Sequence, residues 1–179
     1  MKIARELKER NVCEYLLYMW QVEDTIRAYG LDTERMAREY VPRFDLTDKE
    51  ARDEARWYED LTRMMREEGV EQRGHLQINR GTLSLLDDLH AELLRSAKHP
   101  FYSAAYYKAL PFIVELRARG DKNVSELETC LSCLYGVMML RMQHREVSEG
   151  TKTAVAAISH LLALLADAHE KERKGELEL

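Results

Sequence analysis

The chain has 179 residues, which suits one domain spanning residues 1–179 with a sizeable core. Hydrophobic residues are 45% and charged residues 33%, with only 8 Gly and 3 Pro, a soluble, compact, helix-rich composition that argues against a disordered chain. Net charge is −5, from 32 acids and 27 bases, and the signs are interspersed, so the basic footprint of a nucleic-acid binder is missing.

The opening MKIARELKERN is charged and lacks an apolar core, so no secretory signal is expected. The most apolar window, Ala154 to Ala168, is broken by Ser159 and His160 and ends near Asp167. It reads as too short and too polar for a bilayer span. Three cysteines form no framework and suit a reducing compartment. The expectation is a cytoplasmic protein with no membrane and no nucleic-acid partner.

Residues 3–29 read as one long helix with the stripe Leu16, Met19, Trp20, Ile26, closed by Gly30. Thr33 caps a short second helix, which Pro42 ends. Thr47 and Glu50 form a capping box. The helix they open buries Ala51, Ala55, Tyr58, Leu61 and Met65 and stops at Gly69. From Thr82 to Ala97 the stripe is Leu83, Leu86, His90, Leu93; Gly74 and Gly81 blur where it starts.

Tyr102, Ala105, Tyr106, Ala109, Phe112, Ile113 and Leu116 form the next face, ended by Gly120. Pro111 inside it removes one hydrogen bond and clashes with the Tyr107 carbonyl, which predicts a kink or two abutting helices. Asn123 to His144 follows, with Asn123 and Glu126 as a capping box. It carries two apolar stripes, which predicts a central helix. Ser148 caps the last helix, where Val155, Ile158, Leu162 and Leu165 repeat at heptad spacing and Leu161 and Leu164 widen the face. Residues 170–179 read as a frayed polar tail. No alternating β pattern appears. The fold expected is all-α: a single-domain bundle of about six or seven helices, mostly antiparallel.

The stretches EYLLYMWQVED (Glu14 to Asp24) and LPFIVELRARGDKNVSELETC (Leu110 to Cys130), with GHL at Gly74 to Leu76, resemble a family of small bacterial proteins known as a domain of unknown function. The resemblance implies an all-helical cytoplasmic protein. Its motifs are packing motifs, so it implies no catalytic or binding residues.

Cys130 and Cys133 form a C-x-x-C a turn or more inside a helix, away from the N-terminus where redox pairs sit. No second ligand pair completes a zinc site, and core packing is the preferred reading. Six histidines supply no paired Glu-x-x-His. Nucleophile elbows, phosphate loops and dinucleotide fingerprints are absent. No catalytic residue, metal site or cofactor is expected.

What resists core packing is polar groups on apolar stripes. Glu23 falls between Trp20 and Ile26, His90 between Leu86 and Leu93, and Arg141 three after Met138. A buried charge is costly unless paired. Each sits at a stripe's edge, or forms a structural ion pair, or lines a polar pocket. The pairing expected is Glu23 with Arg141. Gly136 mid-helix suggests close helix packing. Two functions follow. One is a non-enzymatic interaction or scaffold protein, a homodimer through the last helix. The other is a small-molecule-binding protein or enzyme with a site among Glu23, His90, Arg141 and Tyr107 near Pro111.

Overall fold

Asn11 breaks the expected first helix in two. Its backbone is extended, at φ −155° and ψ 96°, and its side-chain oxygen accepts from the Cys13 and Glu14 amides. Asparagine satisfies the free N–H groups of a new helix more readily than it extends an old one. The computed structural model, which describes residues 1–121 and 123–179, therefore holds α1 (Lys2–Arg10) and α2 (Val12–Ala28) in place of one element. Further on come α3 (Thr33–Glu39), a 3₁₀ turn (Val41–Arg43), α4 (Asp48–Glu67), α5 (Gln77–Arg95), α6 (Pro100–Arg119), α7 (Glu126–Met142) and α8 (Glu149–Lys174). Among the described residues there is no strand, and the fold is all-α.

Several caps fall where residue chemistry predicts and others shift. Thr47 and Glu50 form both bonds of their capping box, and Ser148 caps α8. Asp32, not Thr33, caps α3. Ser125, not Asn123, caps α7 by accepting from the Glu128 amide; the Asn123 amide goes to Asp121. The chain leaves α2 and α4 through Gly30 and Gly69, both at φ 67°, a conformation in which a side chain is strained. α5 begins well before Thr82, because buried Leu76 and Asn79 continue its stripe backwards.

α6 passes through Pro111 as one helix, so two abutting helices are ruled out. Pro111 is exposed, so the hydrogen bond it removes lies on the solvent side of α6, the side on which a helix tolerates a lengthened or missing bond.

α2 and α8, not α7, are the elements the others surround. α8 packs against α6, α7, α2, α5 and α1; α2 packs against α1, α8, α5, α7 and α4. The fully buried side chains of α7, Leu127, Cys130 and Leu131, lie in its first half, and Val137 is the one buried residue of the second. Its second half, with Leu134, Met138 and Met142, lines an open groove against Val155 of α8. The apolar face of α8 is consumed inside the chain: Ile158, Leu161, Leu162 and Leu165 are all in the core. By length and hydropathy α8 does meet the requirement for a membrane span, contrary to the expectation above, but that face is covered by neighbouring helices. Residues 170–174, expected as the start of a frayed tail, continue α8. α8 runs to Lys174, Gly175 closes it at φ 71°, Leu177 packs on the core, and the Glu178 carbonyl lies 2.8 Å from His99 Nε2.

Candidate functional site

Glu23 is the most completely buried charged side chain among the described residues, at 0% exposure. α2 carries it inward because it shares a face with Leu16, Met19 and Ile26. A carboxylate in that position must accept several hydrogen bonds, and it does. Oε1 accepts from the Leu76 amide at 3.0 Å and from Asn79 Nδ2 at 2.7 Å. Oε2 lies 2.6 Å from His75 Nδ1. All three donors come from the start of α5 and the two residues before it, so one carboxylate pins that end of α5 to α2. Tyr15 donates to Asn79 Oδ1 at 3.5 Å and extends the network.

The His75 ring lies flat on the Trp20 indole, with centroids 4.2 Å apart and planes 12° apart. Tyr135 meets Trp20 edge-on and donates to Asp24 at 2.6 Å. Burial first, then that bond, push the Tyr135 hydroxyl well above its ordinary range. Asp24 also pairs with Arg27 at 2.8 Å, and Arg27 donates to the carbonyls of Val70 and Gly74. The loop before α5 is thus fastened at two points. Beside His75 a cleft of about 140 Å³ is lined by Trp20, Val70, Gly74, Asn79, Arg80, Leu83 and Glu128.

The four residues singled out in the sequence do not converge. His90 belongs to a separate cluster between α5, α6 and α7. Its Nδ1 is 2.5 Å from the Tyr102 hydroxyl, and its Nε2 is 4.0 Å from Glu126. Tyr106 donates to the same Glu126 oxygen at 2.9 Å, and Arg117 reaches Glu126 at 3.7 Å. Burial lowers the His90 pKa, and Glu126 partly opposes this. Arg141 is exposed near the end of α7, so the expected Glu23–Arg141 pair does not exist. Arg141 lines the open groove between the end of α7 and α8, where it reaches solvent. Tyr107 is 67% exposed on α6 and touches Tyr106. His75 and Asn79 were missed. The one signal for His75 was GHL, a family likeness without a role, and Asn79 had none.

The thiols are free, and burial pushes Cys13 and Cys130 up to about 12. Among the described residues no three His, Cys, Asp or Glu side chains are placed to hold a metal ion.

One surface stands apart. The outer face of α6 carries Pro100, Ala104, Tyr107, Pro111, Val114 and Ala118, spaced alternately by four and three, all exposed and none charged. Phe101 beside them is 83% exposed.

Residues 1–176 match the family described as a domain of unknown function, DUF4924. No curated protein and no solved structure matches the chain.

Proposed function

The chain belongs to the DUF4924 family, and we propose that it is a non-enzymatic helical interaction protein that pairs with a second copy of itself through the outer face of α6. The observation that carries this is the uncharged stripe from Pro100 to Ala118. Its length is about 27 Å at 1.5 Å per residue. Its spacing is that of a coiled-coil seam, yet no element among the described residues covers it. A continuous apolar strip on a surface marks a contact site more often than a lone apolar residue does.

The stripe also fits itself. When two copies run antiparallel about a twofold axis, Tyr107 faces Pro111, Val114 faces Ala104, and Pro100 faces Ala118. At the two inner layers a large side chain meets a small one. Such self-complementarity is what a symmetric dimer contact needs. The seam moves from α8, where the sequence suggested it, because α8 spends its wide face on the core. The three free thiols support a cytoplasmic setting.

The alternative, a ligand site built from Glu23, His90, Arg141 and Tyr107, loses support because these residues lie apart. Light scattering at micromolar concentration tests the pairing. The expected mass is twice 21.0 kDa, falling to one chain mass in Ala104→Arg and Val114→Lys. A monomer at every concentration, or a dimer indifferent to both substitutions, refutes it.

A further inference from the structure

His75 carries a second inference, independent of the pairing of α6. Its imidazole is fixed in two directions. Trp20 holds the plane of the ring, and Glu23 holds its rotation through Nδ1. An ionised carboxylate only accepts hydrogen bonds, so Nδ1 carries the proton and the neutral ring keeps its lone pair on Nε2. Nε2 has no partner among the described residues, and the side chain is 28% exposed beside the cleft.

The same cleft holds the Glu128 carboxylate, which has no ion-pair partner among the described residues. Its one cation, Arg80, is turned to the Gln77 side chain. Asp87, on α5, feels the charge of Glu128, which adds to the burial that raises its carboxyl above the ordinary value. The lining therefore offers two free acceptors, His75 Nε2 and the Glu128 carboxylate, and its one guanidinium is engaged elsewhere. Its volume of about 140 Å³ is less than half that of a typical small-molecule pocket.

We propose that this cleft binds a small planar cation of the guanidinium or amidinium class, which donates an N–H to His75 Nε2 and pairs with Glu128. A planar cation suits this because its N–H groups diverge in one plane and address two acceptors at once. Glu23 acts here as a positioning residue that keeps the Nε2 lone pair toward the cleft. Arg80, a guanidinium on the cleft's own rim, is the intrachain competitor.

The test is nitrogen-15 imidazole spectroscopy of the full chain titrated with methylguanidinium chloride. A saturable shift of the His75 ring signals is expected, with tetramethylammonium, a cation without donors, giving none. Glu128→Gln should weaken binding by about tenfold or more, and Arg80→Gln should tighten it. Both positions lie outside the core, and circular dichroism verifies that the variants fold. Absence of a saturable shift overturns the proposal. An unchanged affinity in Glu128→Gln does so too, and an equal response to acetate would make the site one for anions.

Discussion

Replacing Glu23 by alanine removes the one acceptor shared by three donors. Two of them, the Leu76 amide and Asn79 Nδ2, belong to residues buried from solvent. An orphaned buried donor costs about 1–3 kcal/mol. The third donor, His75, is partly exposed and can swing to solvent, so it adds little. The lost side chain also leaves a void between α2 and the start of α5. The total expected is about 4 kcal/mol, within the 3–5 found when a buried polar partner is deleted. That is a large share of the 5–15 kcal/mol typical of a domain.

Glu23→Gln keeps one acceptor and the shape, and should cost only about 1–2 kcal/mol. Arg141→Ala should change stability by less than about 0.5 kcal/mol, because Arg141 is exposed and unpaired among the described residues. The assay is urea unfolding of the single variants, of Glu23→Ala/Arg141→Ala and of Glu23→Ala/Asn79→Ala. The first pair should be additive within about 0.5 kcal/mol; the second should show coupling of about 1 kcal/mol or more. A loss below about 1 kcal/mol for Glu23→Ala would refute the account of the buried carboxylate. So would coupling between Glu23 and Arg141.

Other outcomes follow from single positions. Gly136→Ala should raise stability by about 1 kcal/mol in thermal melts, because a Cβ there meets nothing within 4 Å and the helix interior disfavours glycine. This also corrects the expectation that Gly136 marks close helix packing. Among the thiols, half-buried Cys133 should label first in native protein, with Cys13 and Cys130 held back by burial and by values near 12; mass spectrometry after timed alkylation reads the order. Stability should fall as the pH drops below about 6.5, because burial holds His90 and His169 under that value and the unfolded chain takes up protons first. His90→Gln should flatten that slope in melts between about pH 7 and pH 5.

Hydrophobic periodicity revealed most of the helices because it reports burial, and burial drives helix packing here. The stripes of α4, α6 and α8 match their buried faces closely. Periodicity failed at Asn11, where a polar cap interrupts a stripe that continues in register on both sides. It failed again at Leu76 and Asn79, where a polar residue holds a core position and the pattern looks like a loop. The rank of α7 was misjudged for a related reason. Apolar composition counts faces that could be buried, and only neighbouring elements decide which ones are.

The site was half legible. Glu23 announced itself, since a carboxylate on an apolar stripe must find donors somewhere. Which donors it finds depends on a segment 52 to 56 residues away, and no local pattern encodes that distance. Arg141 was the natural candidate on charge grounds, yet an arginine at a helix end has a long stem and reaches water at little cost. An amide, an asparagine and a histidine from one short segment serve a buried carboxylate better than one flexible guanidinium does. They arrive already ordered by the helix they begin, so less side-chain freedom is lost per hydrogen bond. The outer stripe of α6 escaped notice on the opposite ground. Alanine and proline have too little apolar weight to register as a face beside Tyr102, Ala105, Ala109 and Ile113. It becomes visible only once the structure shows which side of the helix the core has already taken.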